Sequence, residues 1–207
     1  MNELDLHYPP DTCPFCNIAV AFETLSPSPS PTSPSPSSSP PAVEEDLPSC
    51  IPSDDASDPA KTTPSSFVVL ASRNVVAFLD ILPMTRGHLL VATRGHRVKV
   101  EDMEGGEARD VGFWLPLLAR TVKKVTGVSD YNIVQNNGAR AAQVVPHVHF
   151  HIIPRPASMP QIKSKSWTMF GRGNRDDLDD EEGAALAGEM RRILREEVER
   201  LGARGKL

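Results

Sequence analysis

The sequence predicts an α+β fold in which a mostly antiparallel sheet carries two main helices. Short β-branched runs and two long helical segments follow one another in the order strands, helix, strands, helix. The turns between neighbouring strands are short, whereas parallel strands need crossover connections of a dozen residues or more. This order therefore favours an antiparallel α+β sheet over a doubly wound parallel one.

The individual elements are predicted from the period of the apolar residues. A short helix or turn is expected over 13–24. Strands are expected at 67–70, 75–80, 89–93, 131–135 and 146–153. The first long helix covers about 106–125 and has apolar residues at i, i+3 and i+4 spacing. The second covers about 177–201, with acidic residues at its start and arginines in its later turns, as the helix dipole favours.

Residues 26–65 are predicted to be a disordered insert rich in serine, proline and acidic residues. The chain has 20 prolines in 207 residues, about twice ordinary usage, and such a segment buries too little apolar surface to offset its ordering entropy. It is interpreted as a tolerated surface insertion or as a phosphorylatable, partner-binding segment. It separates an N-terminal segment, 1–25, from the domain core, 66–158, which a basic loop and an amphipathic helix follow over 159–207.

Composition and charge narrow the function classes. The net charge is -5 and the pI about 5.7, so no basic field predicts nucleic acid or an anionic membrane as partner. The three cysteines are too few and too uneven for a disulfide framework. No signal peptide is recognised, and no apolar run approaches the roughly 18 residues of a membrane span. We expect a soluble protein of the cytoplasm, the nucleus or both.

The run P-H-V-H-F-H-I-I-P places three histidines in strict alternation. On a strand, His147, His149 and His151 share one face while apolar residues take the other. A metal held by all three rings is one interpretation, but His147 and His151 would lie roughly 13 Å apart along an extended strand. Acid–base and nucleophilic chemistry on a phosphate is the second interpretation, which the spacing favours. The central histidine suits the attacking role, because it alone has a triad neighbour on each side.

The pattern H-x-H-x-H followed by two apolar residues resembles the signature of the histidine triad (HIT) nucleotide-binding family. Residues 75–96, VVAFLDILPMTRGHLLVATRGH, resemble the hairpin of that family, and 131–155 resemble its phosphate loop and triad strand. With 13–24, the resemblance covers nearly all of the chain expected to be ordered. It implies a five-stranded HIT-like sheet, a homodimer, and a nucleotide hydrolase of the zinc-containing bacterial-type or dinucleotide-hydrolase branch.

The resemblance also implies roles for individual residues. His149 matches the nucleophile that becomes a nucleotidyl-histidine, His151 the histidine that assists the leaving group, and His88 a histidine that lines the active site. At Val144, relatives carry a hydroxyl that bonds the phosphate or leaving group, so the preference among substrates is in question. The residues that match nucleotide contacts are Phe78, Asp80 and Ile81 for ribose and base, and Asn136, Gln143 and Val144 for the phosphate.

A structural zinc is implied by the same resemblance. Some members hold zinc between a C-x-x-C pair, a histidine eight residues beyond the hairpin histidine, and the first triad histidine. Cys13, Cys16, His96 and His147 match this set, and two thiolates with two imidazoles make a closed tetrahedral site. An unmetallated thiol pair is the alternative, and no organic cofactor is expected.

Three functions compete at this stage. The first is a hydrolase that releases a nucleoside monophosphate from a phosphoramidate or a dinucleoside polyphosphate, with a purine nucleotide as substrate. The second is a nucleotide sensor or scaffold with little turnover, which Val144 and the insert favour. A metal hydrolase built on all three triad histidines is the third and weakest.

Overall fold

The computed structural model describes residues 13–23, 46–158 and 177–204. These residues form a five-stranded sheet in the order β1-β2-β3-β5-β4, and every neighbouring pair is antiparallel. The antiparallel α+β class is confirmed. The strands are β1 Val68–Ala71, β2 Val75–Leu79, β3 Leu89–Thr93, β4 Tyr131–Gln135 and β5 His149–Pro154, and the helices are α1 Pro14–Ala21, α2 Gly105–Thr126 and α3 Asp180–Arg204.

Apolar side chains cover both faces of the sheet. On one face, alternate residues of β1, β2 and β3 join α2 and α3 in the larger core, which includes Trp114, Leu118 and Met190. On the other face, Phe78 and Leu90 pack with the apolar residues of α1. Burial on both faces explains why β1, β2 and β3 are continuous apolar runs rather than alternating ones.

The ends of α2 follow from local capping. The backbone N–H of Glu104 donates to the Glu107 carboxylate at 2.8 Å, which closes a capping box at the first turn. Gly127 ends the helix at φ 69°, a left-handed conformation that glycine adopts without steric cost.

Strand β5 begins at His149, three residues later than predicted. Pro146 has no N–H to donate to a neighbouring strand, and the N–H of His147 turns back to Val145 O at 2.8 Å. His147 therefore lies in the bend that leads into the strand. The prediction that all three histidines belong to one strand is wrong for His147.

The prediction of disorder over 26–65 is wrong for residues 46–65. They form short 3₁₀ turns at Leu47–Cys50, Asp55–Ser57 and Pro59–Lys61. Cys50 and Ile51 are buried in the larger core beside α3. Two arginines of α3 hold the segment: Arg191 pairs with Asp54 at 2.7 Å, and Arg195 donates to the Pro52 carbonyl at 2.7 Å.

The predictions for residues 26–45 and for the basic loop over 159–176 lie outside the described residues. None of the helices in the described part of the chain is both long enough and apolar enough to cross a membrane.

Candidate active site and metal cluster

The candidate site lies on the face of the sheet that carries α1. Cross-strand pairing puts His151 opposite Leu90, Leu90 opposite Phe78, and Phe78 opposite Val68. Directly opposed residues of antiparallel strands point to the same side. One row of side chains therefore runs from the triad strand across the sheet to β1, and its members His151, Leu90 and Phe78 line a cavity.

His149 is held as a neutral ring in one tautomer. Its Nδ1 lies 2.6 Å from the backbone carbonyl oxygen of His147, and a carbonyl only accepts, so Nδ1 carries the proton. Burial lowers the pKa of His149, against the opposing effect of that hydrogen bond. The unprotonated Nε2 keeps a lone pair, as a nucleophile at phosphorus requires.

A chain of hydrogen-bonding groups runs behind His149. His88 is fully buried, and its Nε2 lies 2.9 Å from Nδ1 of His151. On its other side, Nδ1 of His88 lies 3.2 Å from Asp80 Oδ2 and 3.2 Å from the backbone N–H of Met84. Nδ1 of His88 can therefore donate to Asp80 or accept from Met84, so the neutral ring can carry its proton on Nδ1 or on Nε2. The arrangement suits the transfer of a proton to or from His151.

A cavity of about 770 Å³ opens above this row. It falls within the range of about 300–1,000 Å³ typical of small-molecule sites. The cavity brings together seven of the predicted site residues: His149, His151, Phe78, Asp80, Ile81, Asn136 and Val144. His88 is not among its lining residues and contacts His151 from behind.

Gln143 is not among the residues that line the cavity; the resemblance implies that it begins a loop whose backbone N–H groups contact the phosphate. Its side chain is buried, with Oε1 accepting from the N–H of Gly138 at 2.6 Å and Nε2 donating to Val98 O at 2.7 Å. It ties the loop before the triad strand to the segment after β3. Gln143 thus shapes the loop that carries Val144 rather than meeting a ligand with its side chain.

Cys13, Cys16, His96 and His147 form a separate cluster whose ligand atoms all lie within 4.8 Å of one another. The sulfur of Cys13 lies 3.3 Å from Nδ1 of His147, and the sulfur of Cys16 lies 3.3 Å from Nδ1 of His96 and 3.6 Å from Nδ1 of His147. In a tetrahedral zinc site, with Zn–S about 2.3 Å and Zn–N about 2.1 Å, sulfur and nitrogen lie about 3.6 Å apart. The three sulfur–nitrogen distances are close to this value, so the four residues could hold a metal ion.

The surroundings of the cluster prepare His147 to be a ligand. Its Nε2 donates to the Thr93 carbonyl at 2.7 Å, which leaves the lone pair of Nδ1 directed at the two sulfurs. Burial lowers the pKa of His147 to about 4, so the ring is neutral. Burial and the neighbouring Cys13 raise the pKa of Cys16 to about 12, an effect that a bound divalent cation reverses because it deprotonates a coordinating thiol.

The geometry separates the three triad histidines. The His147 ring belongs to the cysteine cluster, whereas His149 and His151 line the cavity with ring centroids 4.8 Å apart. Among the described residues, no group of potential metal ligands contains all three. The metal hydrolase built on three triad histidines has no support in this arrangement.

Sequence reasoning missed two parts of the cavity. Phe15 and Ile18 of α1 line it, and the Phe15 ring meets the His149 ring edge-on at 5.0 Å. The spacing of the apolar residues in α1 was the sequence feature that could have indicated this contact. Residues 61–65 at the end of the insert and the adjoining Ser66 also line the cavity, and their composition does not indicate this position.

Comparison with known proteins identifies relatives. The HIT domain family model matches residues 61–158. A HIT-like protein of Methanocaldococcus jannaschii is 38% identical over 113 residues, which cover 55% of this chain and 83% of that protein. An adenosine 5'-monophosphoramidase of Schizosaccharomyces pombe is 44% identical over 81 residues, 39% of this chain. The chain spans only 58% of the length of that enzyme.

The structure is also similar to solved structures. A Zn-bound histidine triad family protein from Mycobacterium smegmatis matches with a TM-score of 0.50 and 27% identity. The match covers 63% of this chain and 85% of that protein.

Proposed function

The chain belongs to the histidine triad (HIT) family, and we propose that it is a nucleotide hydrolase that works through a nucleotidyl-histidine intermediate. It releases a nucleoside monophosphate from a phosphoramidate or a dinucleoside polyphosphate. The observation that carries this proposal is the state of His149: a neutral ring whose Nδ1–H is held by the His147 carbonyl, at the wall of a large cavity.

The reaction follows from that geometry. The lone pair on Nε2 of His149 attacks the α-phosphorus, a P–N bond forms, and the bond from phosphorus to the leaving group breaks. His151 gives the leaving group its proton, and His88 stabilises the proton position on His151 through their 2.9 Å contact. Water then attacks the same phosphorus and gives its proton to His151, which restores the proton lost to the leaving group. The P–N bond breaks, which releases the monophosphate and regenerates neutral His149.

The remaining cavity residues bind the nucleotide in this proposal. Asp80 accepts from the ribose hydroxyls, and Phe78 and Ile81 contact a purine base. Asn136, whose Nδ2 donates to Ala142 O at 3.3 Å, lies on the phosphate side. The adenosine phosphoramidase activity in the name of the fission yeast relative supports an adenine nucleotide as the first substrate to test.

The test is incubation with adenosine 5'-phosphoramidate, with AMP release measured by chromatography and the enzyme examined by intact-protein mass spectrometry. We expect AMP production and an adenylyl group on His149. The His149→Asn variant should lose both, whereas His151→Asn should slow turnover and still acquire the label. As a fold control, Asp55→Ala, an exposed site outside the cavity lining, should match wild type. Adenylylation of His149→Asn at an unchanged rate would refute the assignment.

A low-turnover nucleotide sensor is the second candidate function. Val144 lines the cavity and is 75% exposed, at the position where the resemblance implies a hydroxyl for the leaving group. AMP binding without measurable turnover on phosphoramidate or dinucleotide substrates would favour the sensor over the hydrolase.

We also propose that the metal held by Cys13, Cys16, His96 and His147 is zinc with a structural role. Two thiolates and two imidazoles are the donor set that zinc prefers, and the mycobacterial HIT neighbour is Zn-bound. The ion would tie α1 to the start of the triad strand. Elemental analysis of the purified protein should give one zinc per chain, and a chain that binds none after refolding with zinc would overturn this proposal.

A homodimer completes the proposal. β4 is an edge strand, and it exposes the apolar side chains of Tyr131 and Ile133. An exposed apolar strand edge favours pairing with another copy. Light scattering should give twice the mass of the chain, and Ile133→Asp should shift it towards the monomer. A wild-type monomer at micromolar concentration would contradict the proposal.

A further inference from the structure

Residues 61–66 close one end of the candidate nucleotide cavity, and we name them the 61–66 wall. All six lie among the residues that line the cavity. Residues 61–65 of the wall end the insert, and Ser66 leads into β1 through Phe67. A segment that the composition indicates to be a surface insertion therefore contributes part of the site.

The wall has a defined conformation. Nζ of Lys61 donates to Ala56 O at 2.7 Å, and its ammonium lies 5.3 Å from the centroid of the Phe22 ring beside α1. The Thr62 hydroxyl lies 2.9 Å from Pro64 O and 2.6 Å from the Ser66 hydroxyl. These contacts fix the segment on both sides of its exposed tip.

The position of the wall identifies the part of the substrate that it meets. The row from His151 through Leu90 and Phe78 to Val68 crosses three strand spacings, or about 14 Å at about 4.8 Å per spacing. Ser66 lies two residues before Val68, so the wall stands at the far end of this row. The phosphate attacked by His149 lies at the near end. The wall therefore faces the end of the substrate that is remote from phosphorus.

The tip of the wall offers a polar group for recognition. Thr63 is exposed, and its hydroxyl has no hydrogen-bond partner within the described part of the chain. The Thr62 hydroxyl is already engaged within the wall. In the same cavity, Phe15 and Ile18 supply an apolar surface of the kind that a flat base packs against. A hydroxyl beside an apolar surface can distinguish planar bases by the hydrogen-bond donors and acceptors that they carry at their edges.

We propose that the 61–66 wall is a specificity element that contacts the base of the nucleotide, with Thr63 as its principal polar contact. The proposal rests on the proposed nucleotide hydrolase function. It assigns to the insert a direct role in substrate selection, so that wall substitutions act on substrate affinity and leave the chemical step at His149 unchanged.

The test compares wild type with Thr63→Ala on two substrates, adenosine 5'-phosphoramidate and ribose 5'-phosphoramidate, which lacks the base. We expect KM for the adenosine substrate to rise about threefold to tenfold, the ratio for loss of an ordinary hydrogen bond. Its kcat should stay within a factor of about two, and both constants for the base-free substrate should be unchanged. A bulky Thr63→Trp should raise KM for the adenosine substrate further while sparing the base-free one. Asp55→Ala, on the same insert and outside the cavity, is the matched control.

The outcomes separate the two proposals. An unchanged KM in Thr63→Ala, or an equal rise on both substrates, overturns the assignment of the wall to the base. If wild type turns over neither these phosphoramidates nor a dinucleoside polyphosphate, the hydrolase proposal fails, and the Kd for AMP from calorimetry then decides the wall proposal. A weaker Kd in Thr63→Ala and Thr63→Trp with Asp55→Ala unchanged supports the wall, and equal values in all four proteins refute it.

Discussion

Replacing Arg191 by methionine tests how α3 is joined to β1 and to the described part of the insert. The guanidinium of Arg191 donates to Val68 O at 2.7 Å and to Asp54 Oδ1 at 2.7 Å and 3.2 Å. The Arg191 side chain is only 6% exposed, whereas that of Asp54 is 81% exposed. The two interactions should therefore contribute unequally to the free energy of unfolding.

The Val68 carbonyl is buried, so its loss of a partner should cost about 1–3 kcal/mol. The ion pair with an exposed carboxylate contributes about 0–1 kcal/mol, and methionine keeps most of the apolar stem of arginine. We expect Arg191→Met to lower the free energy of unfolding by about 2 kcal/mol and Asp54→Asn to lower it by less than about 1 kcal/mol.

Urea denaturation followed by circular dichroism measures both values. Arg192→Met is the matched control, because Arg192 is the next residue of α3 and pairs with Glu196 on the surface. Its stability should stay within about 0.5 kcal/mol of wild type. Equal losses in Asp54→Asn and Arg191→Met would refute the reasoning, since the ion pair with Asp54 rather than the bond to the buried Val68 carbonyl would then account for the stability that Arg191 contributes.

Three further predictions concern charge, catalysis and metal. Burial alone would raise the pKa of Glu197, but basic residues of α2 bond its carboxylate and lower it. Glu197→Gln should therefore lower the free energy of unfolding by about 1–2 kcal/mol at neutral pH. This difference from wild type should vanish in urea titrations as the pH falls below about 4, where the carboxylate is protonated. An equal loss in the exposed Glu196→Gln would contradict this explanation. Val144→Ser should raise kcat/KM on the phosphoramidate by about tenfold if the new hydroxyl assists the leaving group, and an equal rise in Val144→Ala would refute that cause. Cys13→Ser should lose the metal in elemental analysis and lower Tm, whereas Cys50→Ala should keep the metal; retention of metal by Cys13→Ser would remove Cys13 from the ligand set.

The sequence predicts those features that depend on neighbours along the chain. The alternation of His149 and His151 with apolar residues is visible in one strand, and the cavity indeed receives both rings. The strand and helix bounds agree within about three residues, because the apolar period and the capping residues act locally. The start of β5 at His149 rather than at residue 146 is also a local effect, because Pro146 has no N–H to donate. The prediction of this strand from apolar alternation did not take Pro146 into account.

Features that depend on distant partners are not visible in the sequence. The folded state of 46–65 depends on Arg191 and Arg195, more than a hundred residues later in the chain. The serine, proline and acidic composition favours disorder on average, but a few buried contacts such as Ile51 against the core outweigh it. The buried position of the Gln143 side chain has the same cause, because its hydrogen-bond partner Val98 lies 45 residues earlier in the chain.

His147 connects the metal cluster to the nucleophile through two different groups of one residue. Its ring lies among the sulfurs of Cys13 and Cys16, while its backbone carbonyl accepts the Nδ1–H of His149 at 2.6 Å. In the proposed zinc site, a ligand bond to the ring would restrain the position of that carbonyl, and the carbonyl sets the tautomer of the His149 ring. The cluster lies outside the cavity, so in the proposed hydrolase a bound metal would act on turnover by holding His149 in the orientation that directs Nε2 at phosphorus. The ring and the carbonyl of His147 thus give a cysteine–histidine cluster beside the triad strand a route to the nucleophile.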